Sequence, residues 1–272
     1  MDQYLVFGNP IKQSRSPFIH QSFAKATKQD LNYQSQLAEH DDFCTAVTEF
    51  FNQGGKGANV TAPFKEQALA MSDELSDRAR LAGAVNTLSF KNGKIYGDNT
   101  DGEGLVQDLL RNKVQLDNSR ILLLGAGGAA KGVILPLLAQ KPASIVIANR
   151  TVSKAQALIE QFDDGRLSSC EFEQTSGKIY DVIINATSAS LSGKLPTIPT
   201  SVITENTVCY DMVYGKALTP FLVWAKAQGA SKIIDGLGML VGQAAESFRI
   251  WRGVQPEVET VIEQLQASLV QE

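Results

Sequence analysis

Short apolar runs alternate with helical periodicities along most of the chain. The run YLVFG reads as a strand. Beyond Ser16-Pro17 the apolar positions recur at helical spacing, and proline suits the first turn of a helix. A strand near Tyr33 to Leu37, a helix over Asp42 to Phe51 and the run GANV continue the alternation. This pattern predicts parallel sheet covered by helices. From Val85 to Asn99 it changes to two short strands joined by Lys91-Asn92-Gly93-Lys94, a hairpin signal because Asn-Gly readily takes positive φ.

The segment DNTDGEGLVQDLL then begins a helix, and RILLLGAGGAAKGVILPLL opens a fresh strand-turn-helix unit, so a second domain is expected near Gly102. ASIVIANR, a helix over Val152 to Phe162, YDVIINATS, TVCYDM, a helix over Thr219 to Gln228 and KIIDG read as strands and helices of one open sheet. After Gly236 only helical patterns remain, and these are expected to return to the first domain. The expected organisation is α/β with two domains, residues 1–101 plus 237–272 and residues 102–236. The glycine and prolines of SLSGKLPTIPTS, residues 190–201, suggest a mobile flap.

Composition narrows the function classes. With 272 residues, 43% of them hydrophobic, the chain has ample material for two cores. A formal net charge of −4 supplies no basic field for nucleic acid or an anionic membrane. Cys44, Cys170 and Cys209 are far apart and form no CxxC pair, so they read as reduced residues rather than a zinc site. His20 and His40 are the only histidines, which argues against a histidine-rich metal site or a Ser-His-Asp triad. His20 reads as a helix-face residue. The start MDQYLVFGNP has neither the basic residues nor the apolar core of a signal peptide, and no stretch approaches the roughly 20 apolar residues of a membrane span. A cytoplasmic protein is the expectation, with a small molecule as its partner.

Gly125-Ala126-Gly127-Gly128-Ala129-Ala130 follows an apolar strand and precedes a helix, the context in which a GxGxx(G/A) pattern binds a dinucleotide. The first glycine permits the turn, and the second lets backbone amides approach a pyrophosphate. At the end of the next strand, where NAD-binding chains carry an acidic residue, stand Asn149, Arg150, Thr151 and Lys154. A guanidinium, a hydroxyl at a helix start and a second cation suit a 2′-phosphate, which favours NADP. In GANVTAPFKEQA, Thr61 is expected to cap a helix with Pro63 in its first turn, bringing Lys65 to that turn. The helix dipole there disfavours the ammonium and a nearby carboxylate favours it, and a lysine balanced in this way can exchange protons. The segment GDNTDGEG brings Asp98, Asn99 and Asp101 to the domain junction. Asp101 reads either as an ordinary helix N-cap or as that carboxylate.

Together the segments VFGNPIKQSRSPFIH, GANVTAPFK, AGAVNTL, GDNTDGEG, GAGGAAKG, NRT, INATS, YDMVY, TPF and DGLGMLVGQAA resemble the shikimate dehydrogenase family from end to end. The resemblance implies an N-terminal α/β substrate domain, a Rossmann-type doubly wound NADP-binding domain and C-terminal helices returning to the first. It also implies NADPH-dependent, reversible reduction of 3-dehydroshikimate to shikimate, in a monomer or homodimer. Ser14 and Ser16 match donors to the substrate carboxylate, assisted by Thr61 and Tyr214. Asn86, Asp101 and Gln243 match ligands of the ring hydroxyls, and Lys65 with Asp101 matches the acid-base pair. Ala186, Thr187, Met212, Gly236 and Met239 join the loop and the Asn149–Lys154 cluster as cofactor contacts.

Two positions depart from the family pattern. Ala130 stands where Ser or Thr is common, an expected loss of one hydroxyl contact to a phosphate. Ser190 stands where glycine is usual, an expected change in the backbone beside the cofactor. A quinate/shikimate dehydrogenase of broader range and a noncatalytic NADP-binding sensor are the competing readings. Retention of Lys65 and Asp101 weighs against the sensor.

Overall fold

The computed structural model describes residues 1–271, which form two compact units. One comprises Met1–Gly104 and Leu240–Gln264, and the other Leu105–Met239 with the chain from Leu265 onward. The expected division thus differs in two ways. Each boundary lies a few residues later, inside a helix, and the chain from Leu265 groups with the second unit. A continuous helix carries no sequence mark where its surroundings change.

The first unit runs β1 (Asp2–Gly8), α1 (Ser16–Thr27), β2 (Leu31–Leu37), α2 (Phe43–Asn52), β3 (Gly57–Val60), α3 (Lys65–Met71), β4 (Glu74–Leu75), α4 (Asp77–Ala82), β5 (Thr87–Lys91) and β6 (Lys94–Asp98). Its sheet has the order β2-β1-β3-β5-β6-β4. β1 pairs in parallel with β2 and β3, whereas β5 runs antiparallel to both β3 and β6. The β5–β6 connection is the expected hairpin, with Asn92 and Gly93 both at positive φ. Phe7, Phe43, Val47, Phe64 and Leu88 are buried in one core cluster, and the rings of Phe43 and Phe64 stack with centroids 4.7 Å apart. That anchoring of Phe64 decides where α3 starts. Thr61 therefore does not cap α3: its carbonyl accepts from Phe64 N in a preceding turn, Pro63 lies outside the helix, and Lys65 is the first helical residue.

The second unit begins within α5 (Asp101–Arg111) and continues through β7 (Arg120–Leu124), α6 (Gly128–Ala139), β8 (Ser144–Ala148), α7 (Val152–Ile159), β9 (Leu167–Cys170), β10 (Val182–Asn185), β11 (Val208–Asp211), α8 (Pro220–Ala227) and β12 (Lys232–Ile234). The order β12-β11-β10-β7-β8-β9 is parallel throughout. Ile121 and Leu123 of β7 enter one core cluster and Leu122 and Leu124 another, so both faces are covered and the strand is apolar at successive positions. The strand order reverses between β7 and β10, the point at which doubly wound sheets open a crevice at their C-terminal edge. The stretch expected as a flap contains short 3₁₀ turns at Ser190–Ser192 and Thr200–Val202.

Two helices close the chain, α9 (Leu237–Arg252) and α10 (Glu259–Gln271). Trp251 of α9 donates its indole N–H to the Leu88 carbonyl at 3.0 Å, and Arg252 bonds to Asp2 at the start of β1. Among the described residues no helix is long and apolar enough to cross a membrane.

His20 lies on the inward face of α1, 1% exposed and stacked on Tyr33 with centroids 4.2 Å apart. Neither ring nitrogen makes a hydrogen bond of good geometry. Burial lowers the imidazole to about 3 from its ordinary 6.5, outweighing the opposing influence of nearby Asn59. Below pH 6.5 the unfolded chain binds a proton that the fold refuses, so stability falls as pH drops toward 3, by about 1.4 kcal/mol per pH unit from this site. His20→Phe should keep the stack and remove this component. Urea unfolding at pH 6.5 and 4.5 checks it, and equal pH losses in both proteins would assign the effect elsewhere.

Candidate active site

Lys65 opens α3, and its carbonyl accepts from Val85 N at 2.9 Å, which ties the helix start to the chain before β5. Its Nζ donates to Asp101 Oδ2 at 2.6 Å, with the two side chains 31% and 22% exposed. Asp101 is the first residue of α5 rather than its cap. The Oδ1 of Asn99, itself buried, accepts from Asp101 N at 3.1 Å. The Asp101 carboxylate is thereby free to accept from Asn86 Nδ2 at 2.8 Å on its other oxygen. One carboxylate stands between an ammonium and an amide.

Asn86 is in turn held on several sides. Its Oδ1 accepts from Thr87 Oγ1 at 2.7 Å and from Thr100 N at 2.9 Å, and its Nδ2 also reaches Thr100 Oγ1 at 3.0 Å and Gln243 Oε1 of α9 at 3.4 Å. Behind it lies Asn59 of β3, whose Nδ2 donates to the Asn86 carbonyl, Thr87 Oγ1 and Ser247 Oγ at 3.0–3.3 Å. Asn59 Oδ1 accepts from the Tyr33 hydroxyl at 2.7 Å, and Ser16 reaches the same phenol oxygen. Ser14 accepts from Ser16 N at 3.3 Å. Lys65, Asn86, Asp101, Gln243 and Ser16 therefore share one connected network, although only the first four meet directly. Thr61 sits at the end of β3, where a Cβ on Gly8 would lie 2.5 Å from its methyl. Tyr214 lies just beyond β11 in the second unit. Sequence reasoning misses Tyr33, Asn59, Thr87, Thr100 and Ser247. The available signal is Asn59 itself, a polar residue inside a strand that otherwise reads as core.

A charged cluster fixes the turn that carries Asp101. Arg78 of α4 donates to both oxygens of Asp98, at 2.7 and 2.9 Å, and to Glu246 of α9 at 2.8 Å. Asp98 also accepts from Ser76 Oγ and from Asn99 N. Burial pushes both carboxyls up, but these donors, with Arg249 on Glu246, outweigh it and hold both below their ordinary values.

In the second unit, Gly125 follows β7 with φ +105°, where a Cβ would stand 3.1 Å from Thr187 and 3.3 Å from Ala186. Gly127 is the extended N-cap of α6, and a Cβ on Gly127 or Gly128 would meet nothing within 4 Å. With Ala126 and Ala129, they leave the first N–H groups of α6 open to an anion. A Cβ on Gly236 would lie 2.2 Å from the Met212 carbonyl, so the ends of β11 and β12 touch, while Met239 packs on the adjacent core. Asn149 bonds the Thr151 carbonyl at 2.9 Å, and Thr151 leads α7 without using its hydroxyl as a cap. Arg150, Thr151 and Lys154 are exposed, and neither cation has an ion-pair partner among the described residues. The predicted cofactor residues thus gather at the C-terminal ends of β7, β8, β10, β11 and β12, and the donors present fit a dinucleotide with an extra phosphate.

Residues 6–88 match the family model described as the shikimate dehydrogenase substrate binding domain, residues 108–194 that of shikimate / quinate 5-dehydrogenase, and residues 236–266 that of the shikimate 5′-dehydrogenase C-terminal domain. The shikimate dehydrogenase (NADP(+)) of Colwellia psychrerythraea is 68% identical over 268 residues, covering 98% of each chain. The chain belongs to the shikimate dehydrogenase family. Among solved structures, an Ael1 enzyme from Pseudomonas putida superposes with a TM-score of 0.95 at 47% identity, over 97% of this chain and 98% of that one. The Thermus thermophilus shikimate 5-dehydrogenase in complex with NADP(H) and shikimate gives 0.87 at 30% identity, over 99% and 100%.

Both departures from the shikimate dehydrogenase pattern acquire a physical reading. Ala130 is fully buried and belongs to the core cluster beside β7. Ser190 is buried as well, and its hydroxyl bonds Asp211 at 2.6 Å.

Removing Arg78 would leave Asp98 partly buried without its cation, while Glu246 would keep only Arg249. Arg78→Met should therefore cost about 3–5 kcal/mol of unfolding free energy, read from urea denaturation at pH 7. A loss below about 1 kcal/mol would reduce the cluster to an ordinary surface ion pair.

Proposed function

We propose that the chain catalyses the reversible reduction of 3-dehydroshikimate to shikimate with NADPH, the dehydrogenase step of aromatic amino-acid biosynthesis. The observation that carries this reading is Asp101 held between Lys65 Nζ at 2.6 Å and Asn86 Nδ2 at 2.8 Å, in a chain of the shikimate dehydrogenase family. The first unit takes the substrate and the second the cofactor. Ser14, Ser16 and Thr61 present hydroxyls to the substrate carboxylate, while Asn86, Asp101 and Gln243 take the ring hydroxyls. Free cysteines, two of them buried, suit a reducing cytoplasm. A monomer or a homodimer accommodates the same site.

NADPH supplies the hydride. The Lys65 ammonium would donate a proton to the carbonyl oxygen as that carbon is reduced, leaving a neutral hydroxyl and a neutral amine, and solvent would return the proton to Lys65. Asp101 aims the ammonium by accepting one of its hydrogens and accepts from the substrate hydroxyl beside it. In the oxidation direction the amine takes the proton back. In the second unit the first N–H groups of α6 would hold the pyrophosphate, and Arg150, Thr151 and Lys154 would hold the 2′-phosphate.

Nicotinamide absorbance with shikimate or quinate, each with NADP or NAD, should give turnover confined to shikimate with NADP. Comparable quinate or NAD turnover would move the chain to the broader relative, and no turnover would favour the sensor. Lys65→Ala should lower kcat by about 10²–10⁴-fold with little change in shikimate affinity; lost binding with normal turnover would remove it from proton transfer. Arg150→Ala should weaken NADP about tenfold or more while leaving NAD nearly unchanged. Equal weakening would detach Arg150 from the 2′-phosphate.

A further inference from the structure

Asp211 closes β11 with its side chain fully buried, and no cation meets it among the described residues. Four donors surround it instead. Oδ1 accepts from Asn185 Nδ2 at 3.2 Å and Val213 N at 3.1 Å, while Oδ2 accepts from Ser190 Oγ and Thr219 Oγ1, each at 2.6 Å. A carboxylate kept from water is tolerated only where hydrogen bonds replace its hydration, and hydroxyl donors at this distance are of the short, charge-assisted kind.

The donors come from separate pieces of chain: the end of β10, the turn after it, the segment following β11, and the cap of α8, where Thr219 Oγ1 also accepts from Leu222 N at 3.3 Å. Asn185 extends the arrangement, since its Oδ1 accepts both the N–H and the hydroxyl of Thr187, at 3.1 and 2.7 Å. Ser190 Oγ also accepts from Asn185 Nδ2 at 3.2 Å. The turn holding Ala186 and Thr187 is therefore fastened to the segment holding Met212 through one buried carboxylate. Gly125 packs against the first of these segments and Gly236 against the second.

We propose that Asp211 is a positioning residue for the nicotinamide half of the cofactor, and that Ser190 is the hydroxyl by which this chain locks the turn after β10 to it. This rests on the NADP reading above. Asp211 and Ser190 would act through the backbone: they fix the strand-end segments carrying Ala186, Thr187 and Met212, which on that reading would take the nicotinamide half, while Arg150, Thr151 and Lys154 would take the adenosine half.

Equilibrium titration with NADP⁺ and with adenosine 2′,5′-bisphosphate, which lacks the nicotinamide, separates the halves. Ser190→Ala should weaken NADP⁺ by about tenfold, the scale of one lost hydrogen bond to a charged group, and should leave adenosine 2′,5′-bisphosphate within about twofold. Asp211→Asn should produce a larger loss with the same asymmetry. Should that variant fail to fold, Ser190→Ala and Ser190→Gly carry the test. Equal weakening of both ligands, or unchanged NADP⁺ affinity in a folded variant, would overturn the proposal while leaving the NADP reading intact. A wild-type chain that bound neither ligand would overturn both.

Discussion

A strand buried on both faces offers its polar residues no water, and Asn59 in β3 obliges the rest of the first unit to supply its partners. Its amide meets the backbone and hydroxyls of Asn86, Thr87 and Ser247, and its carbonyl meets Tyr33. These partners come from β2, β5 and α9, so one side chain sets the register of three elements. Partly satisfied networks are costly in the interior, whereas full satisfaction specifies a single arrangement. Asn86 is held because Asn59 is, and Asp101 is aimed because Asn86 is. The exposed end of this chain of dependence is the ammonium of Lys65.

The second unit meets the same constraint with carboxylates. Asp211 gathers neutral donors, while Asp108 of α5 accepts from the buried Tyr210 hydroxyl at 2.8 Å and pairs with Arg111. Burial raises Asp235 above its ordinary carboxylate range, with Asp108 and Asp211 adding to the rise. Parallel strands expose their last carbonyls and side chains along one edge, and the residues there must be braced before they can brace anything else. The glycines of the edge allow the strand-end segments to approach backbone to backbone.

Much of this was legible in the sequence, for local reasons. Asn92-Gly93 forms its hairpin because both residues tolerate positive φ, and Gly125 turns the chain out of β7 for the same reason. The lysine, the amide and the carboxylate of the candidate site lie in short motifs whose residues are themselves unusual in a core. What no local pattern carries depends on contacts between distant segments. The start of α3 follows from Phe64 stacking on Phe43, which no capping rule sees. Nothing local tells Ala130 in the core from a hydroxyl facing a phosphate, and the mate of Ser190 lies on another strand. The unit boundaries leave no mark in the sequence because α5 and α9 keep their periodicity through them.

The cluster after β8 contrasts with all of this. Arg150, Thr151 and Lys154 lie at the surface, and neither cation is engaged by the fold. Substitutions at such positions change stability by little, about 0.5 kcal/mol or less, whereas a change at Asn59 disturbs every partner at once. Selection can therefore act on the two regions at different rates. Only a ligand holds the surface cluster, which can change one codon at a time without cost to the fold, while the buried amides can change only in concert.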